Sequence, residues 1–167
     1  MIKIAGALMI GFACAFLGTQ KSLKIKKRHK SLINMQKMLE ILGTKIDFLE
    51  RDIKTALEEI DSMIDSCGFL NEVTSRMGEV GLKRAWLLAV SKKKDALCFN
   101  DEDADTLAMA AARLGMTDSR NQLKNIEYVK NMLDIHIKSA SYDVENLCRL
   151  YSGGGVLLGA FLIMMFL

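Results

Sequence analysis

Two long uncharged runs bracket a middle that holds every charged side chain except Lys3. The first is residues 4–20, IAGALMIGFACAFLGTQ, and the second is residues 150–167, LYSGGGVLLGAFLIMMFL. As α-helices rising 1.5 Å per residue they would extend about 25 Å and about 27 Å, close to the thickness of a bilayer core. The stretch VLLGAFLIMMFL is apolar all round and offers water no polar face. Such an end left in solvent would aggregate. A membrane helix at each end is therefore the expectation, spanning residues 1–20 and 151–167, with residues 21–150 as the body between them. Gly153, Gly154, Gly155 and Gly159 would let the second span approach another helix closely, or would hinge it at its entry.

The charges order these elements. Residues 21–30, KSLKIKKRHK, carry Lys21, Lys24, Lys26, Lys27, Arg28 and Lys30, whereas only Lys3 precedes the first run. The more basic flank stays in the cytoplasm. This argues against export, and so against cleavage as a signal peptide at Ala13-Cys14-Ala15 or as a lipoprotein at Cys14. It favours a retained anchor, with both termini outside, the body inside, and the six cations lying on anionic membrane lipid. Each is worth about 1 kcal/mol near the surface. The first acid is Glu40, so eight of the 23 Lys and Arg precede it and 15 face all 20 acids beyond it. A mildly acidic body whose basic run has no interleaved aromatics is not built for nucleic acid.

The body reads as all-α. It has no proline and is rich in Leu, Met, Lys, Glu and Ala. Leu23, Leu32, Met35, Met38, Leu39 and Leu42 recur at helical spacing, then Ile46, Leu49, Ile53, Leu57, Ile60 and Ile64. Gly43 marks an expected break or weak spot between the two stripes, giving a helical hairpin or one long broken helix, Glu50 and Lys54 are an expected i,i+4 pair, and Gly68 marks an end. A short buried helix is expected around Trp86. Asp101, Glu102, Asp103 and Asp105 follow Asn100 without the glycine or closing glutamate of a calcium loop. They are better placed at a helix start capped by Asn100 or Asp101, where the dipole favours acids. Their functional reading is an acidic docking face for a basic partner. Residues 107–114 suggest a helix of small residues ended by Gly115, and Thr117 or Asp118 caps the next. That helix runs unbroken to Gly153. Ile126, Leu133, Ala140 and Leu147, with Lys130, Ile137, Val144 and Tyr151, form a heptad seam. The seam either packs on the first helices of its own chain or joins a second copy.

Nothing points to catalysis. The four cysteines are far apart, and His29 and His136 have no spaced partners. There is no phosphate loop, nucleophile elbow or metalloprotease motif. No catalytic residue, cofactor or metal is expected.

Three stretches carry a resemblance. KKRHKSLINMQKMLEILGTKIDFLE looks like the first cytoplasmic helix pair of the stage III sporulation protein AB family of endospore-forming bacteria. LGMTDSRNQLK resembles that family's LG-x-S/T-D-x3-Q motif, carried here by Leu114, Gly115, Thr117, Asp118 and Gln122. The glycine-rich entry to the final apolar run is similar too. Proline near the end of the second helix, frequent in the family, is absent here, and the region around Trp86 matches less clearly. The resemblance implies a cytoplasmic helical bundle like that of the type II secretion F protein, flanked by transmembrane helices. It implies a non-enzymatic platform in the channel complex between mother cell and forespore. Its partners would be the other channel subunits and a secretion-type ATPase like stage III sporulation protein AA. A membrane-anchored coiled-coil scaffold that self-associates is the alternative.

Overall fold

The computed structural model describes residues 2–48, 53–114 and 119–166. Among these, six helices follow one another and no strand occurs: α1 (Ile2–Phe48), α2 (Ile53–Met63), α3 (Phe69–Val80), α4 (Leu82–Leu97), α5 (Asp101–Ala110) and α6 (Ser119–Phe166). The all-α expectation holds. Contacts divide the chain into two units: Met1–His29 with Ser139–Leu167, and Lys30–Lys138.

In the Lys30–Lys138 unit the apolar stripe of α1 is the core. Leu32, Met35, Met38, Leu39 and Leu42 are fully buried, as are Leu57 and Ile60 of α2. The expected break at Gly43 does not occur, because α1 continues to Phe48. A helical glycine costs about 1 kcal/mol relative to alanine. Here the surrounding burial outweighs that penalty: Gly43 is buried, and a Cβ at this position would meet Ile126 Cγ2 at 3.6 Å. The expected Glu50–Lys54 pair lies partly outside the described residues; within them, Lys54 lies 3.9 Å from Glu58.

Two glycines do set boundaries. Gly68 (φ 72°) precedes α3, and Gly81 (φ 79°, ψ 156°) separates α3 from α4. Both have the positive φ that side chains disfavour. Trp86 of α4 is fully buried, meets Phe69 edge-on at 5.0 Å, and donates its indole N–H to the Leu107 carbonyl at 2.9 Å. The helix expected to be buried around Trp86 is buried on one face only: Leu87 stays partly exposed, as does Val80 at the end of α3. On α6, Ile126, Val129 and Leu133 are buried, and the Gln36 side chain donates to the Lys130 carbonyl at 3.3 Å. Within this unit the seam therefore packs on α1 of its own chain.

In the other unit, Ser22 and Cys148 are buried, the Cys148 thiol reaches the Ser22 carbonyl at 3.5 Å, and Arg28 pairs with Asp143 at 3.4 Å. Leu23 departs from the α1 stripe and is 59% exposed. Helix α6 runs through the glycines at 153–155 without interruption. Among the described residues no helix is long and apolar enough to cross a membrane. The two terminal spans thus rest on the sequence.

Candidate functional site

Helix α5 is short, and it is held at both ends and along its length. Asn100 is its N-cap: the Asn100 side chain accepts from the Asp103 N–H at 2.8 Å, and the Asp103 carboxylate accepts from the Asn100 N–H at 3.1 Å. This reciprocal box satisfies two backbone donors that a helix start leaves open. At the other end, the Asn125 side chain of α6 donates to the carbonyls of Met109 and Ala110, at 3.2 and 3.1 Å. In between, the Leu107 carbonyl accepts from Trp86.

The four acids of this segment divide. The Asp101 side chain is 91% exposed and pairs with Lys94, and Glu102 and Asp105 are exposed as well. The hydrogen bond that Lys94 donates to Asp101, opposed by partial desolvation and helped by the fields of Asp101, Asp95 and Asp105, raises the Lys94 pKa above its ordinary value. Met109 lies on the exposed side of the same helix. Asp103 is fully buried and does not belong to this face. An ionised carboxylate so placed needs partners. Besides the Asn100 N–H, it meets His136 Nδ1 at 2.8 Å, and His136 Nε2 lies 3.4 Å from the Thr106 hydroxyl. With the ring neutral and Nδ1 protonated, His136 donates to Asp103 and accepts from Thr106.

The order carboxylate, imidazole, hydroxyl is that of a hydrolytic triad. Burial gives it a different role. Thr106 is 3% exposed, so no acyl carbonyl can reach its hydroxyl. The three side chains instead brace α5 against α6. Among the described residues no group of three or more His, Cys, Asp and Glu could hold a metal ion.

On α1, Lys21, Lys24, Lys26 and Lys27 are exposed, as is Lys30 in the other unit. Arg28 is half-buried in its ion pair with Asp143. Lys21 lies 5.9 Å from the centre of the Tyr151 ring. Glu72 of α3 is held below its ordinary carboxylate range, first by the hydrogen bond from Lys92, with Arg76 adding to it and burial opposing.

The family model described as stage III sporulation protein AB matches residues 3–167. The chain belongs to the stage III sporulation protein AB family. A solved structure of "Stage III sporulation protein AB (SpoIIIAB)" is similar with a TM-score of 0.66 at 19% sequence identity, over 71% of this chain and 96% of that one. At that identity the likeness establishes the helical fold. None of the curated proteins matches this chain.

Two members of the family motif are in view. Leu114 and Gln122 are both buried, 6% and 5% exposed. Both side chains face the interior. Gly115, Thr117 and Asp118 lie outside the described residues. The helix expected over 107–114 instead starts at Asp101, ends at Ala110 and gives way to turns.

Sequence reasoning missed His136, Thr106 and Asn125. Two signals were available. Asn100 and Asp103 stand at capping-box spacing, which turns the aspartate back on its own helix start. His136 lies three residues after buried Leu133, so it shares the inward face of α6.

Proposed function

We propose that this chain is a non-enzymatic membrane platform subunit of a sporulation channel complex and that its helical body docks a secretion-type ATPase through the exposed face of α5. The observation that carries the reading is a fixed acidic surface. Asp101, Glu102 and Asp105 stand exposed on a helix braced by the Asn100 box, the Asp103–His136 pair, Trp86 and Asn125. Charges on a rigid support lose little entropy on binding and steer a basic partner. Membership of the stage III sporulation protein AB family supports the sporulation setting. In this reading residues 1–20 and 151–167 are the membrane anchors. The body is cytoplasmic, on the mother-cell side of the forespore envelope, and the six cations from Lys21 onward rest on anionic lipid.

The test is affinity capture of the tagged full-length protein from sporulating cells in mild detergent, with partners identified by mass. Recovery of an ATPase like stage III sporulation protein AA is expected. Its loss is expected for the Asp101→Asn, Glu102→Gln, Asp105→Asn variant. If that variant captures the ATPase as well as the wild type, the acidic face is not the contact. If only the chain itself is recovered while the ATPase is abundant, the platform reading fails.

A further inference from the structure

Within the Met1–His29 and Ser139–Leu167 unit, α1 and α6 enclose a cleft of about 540 Å³. Its cations are Lys26 and Arg149, and Thr19 and Ser22 add hydroxyl groups. Among the described residues neither Lys26 nor Arg149 forms an ion pair, although Glu145 also lines the cleft. The remaining wall is apolar, formed in part by Leu23 and Val144. Leu23 is the residue of the α1 stripe that the fold leaves 59% exposed.

The position of the cleft along the chain is informative. Thr19 belongs to the first uncharged run, and Arg149 is the last charged residue before the second. Lys21 and Tyr151 face each other at the same level, a cation and an amphipathic ring of the kind found at head-group depth. Two unpaired cations beside an exposed apolar wall, at the mouth of two apolar runs, match a phosphodiester joined to hydrocarbon. Basic pockets of this kind between helices take anionic head groups.

We propose that this cleft is a binding site for one anionic phospholipid. Its phosphate lies between Lys26 and Arg149, and its glycerol and upper acyl chain lie along Leu23 and Val144. The proposal rests on the membrane reading above. It differs from a general attraction of the basic run to the surface in assigning the lipid to two cations on different helices. Glu145 opposes the phosphate and limits affinity.

The test uses the full-length protein in detergent, exchanged into mixed micelles containing equal phosphatidylglycerol and phosphatidylcholine, with retained lipid counted by native mass spectrometry. One phosphatidylglycerol held in preference is expected. Lys26→Gln with Arg149→Gln should reduce that preference roughly thirtyfold, about fivefold per cation. Lys24→Gln with Lys27→Gln, equal in charge but outside the cleft, should weaken the general attraction of the basic run to the membrane surface and leave the one bound lipid in place. The exchange Lys26→Arg with Arg149→Lys should retain it, which separates charge from folding, and Glu145→Gln should hold it more tightly. Equal loss in the Lys24/Lys27 variant would reduce the site to diffuse attraction and overturn the proposal. So would displacement of the lipid by millimolar inorganic phosphate, which would make it a phosphate site. A wild-type protein that fractionates with membranes yet retains no preferred lipid overturns the site alone. Release from membranes by alkaline carbonate without detergent overturns the membrane reading itself.

Discussion

Replacing Asp103 by alanine isolates what holds α5 in place. The substitution removes the acceptor for the Asn100 N–H and the partner of His136 Nδ1. Loss of a helix cap typically costs about 1 kcal/mol. The His136 side chain is 11% exposed and would keep a donor with no acceptor, at about 1–3 kcal/mol. The sum is about 2–4 kcal/mol. For a chain of 167 residues each kcal/mol lowers the melting temperature by about 2–4 °C, so the expected drop is roughly 5–15 °C. The assay is thermal unfolding of the full-length protein in detergent, followed by circular dichroism, with amide exchange across α5 as the local readout. Asp105→Ala, on the exposed side of the same helix, should stay within about 0.5 kcal/mol of wild type. His136→Ala should destabilise as Asp103→Ala does, and the double variant should lose less than the two added together, since each single change strands the other's partner. An Asp103→Ala protein that melts with the wild type, or an Asp105→Ala protein that falls as far, would refute the assignment of Asp103 to the interior.

Trp86→Phe keeps most of the ring but leaves the Leu107 carbonyl without its donor, a loss of about 1–3 kcal/mol, and Trp86→Ala should remove about 3–5 kcal/mol; denaturant titration distinguishes them. Gly43→Ala should stabilise by about 0.5–1 kcal/mol, because the added Cβ makes ordinary contact with Ile126 and Leu123 while removing the helical glycine penalty; a lower melting temperature would place a break there after all. Gly81→Ala should destabilise by about 1–3 kcal/mol even though the space around it is open, since its φ of 79° with ψ of 156° is a region essentially restricted to glycine. Glu72 has a folded-state pKa below its unfolded value, so its contribution is present above the unfolded value of 4.5 and is lost as pH falls through the folded one. In a melting-temperature series from neutral pH into the acid range, Glu72→Gln should flatten that part of the decline.

The apolar stripes were legible because burial follows a fixed period: Leu32, Met35, Met38, Leu39 and Leu42 show it without exception. Leu23 satisfies the same spacing and is exposed, because periodicity identifies a face of a helix but not how far along it a neighbour covers that face. The unbroken helix at Gly43 has the opposite cause. A local penalty of about 1 kcal/mol is outweighed by packing on both sides of the residue. The acids of α5 were legible as a helix start and not as two sets. Helix dipole and capping favour an acid at each of those positions alike, and only the placement of α6, far away in the sequence, turns Asp103 inward to His136. A histidine and an aspartate 33 residues apart carry no local pattern that links them.

The heptad seam of α6 separates the two functional readings on energetic grounds. A coiled-coil dimer through this seam needs Ile126, Leu133 and Ala140 on a free surface, and each is at most 3% exposed within a single chain. Freeing them would return buried Ile and Leu side chains to water, at about 1.5–3 kcal/mol for each fully buried one, before any contact with a second copy is made. It would also break the Gln36 bond to the Lys130 carbonyl. Self-association along this face therefore competes with the fold itself. The exposed acids of α5 carry no such penalty, since the helix beneath them is already satisfied at both ends. A partner that reads Glu102 and Asp105 meets a surface whose helix needs no rearrangement, and at Asp101 it competes only with the exposed pairing to Lys94. That asymmetry favours a platform docked by another protein over a scaffold that dimerises through its own core.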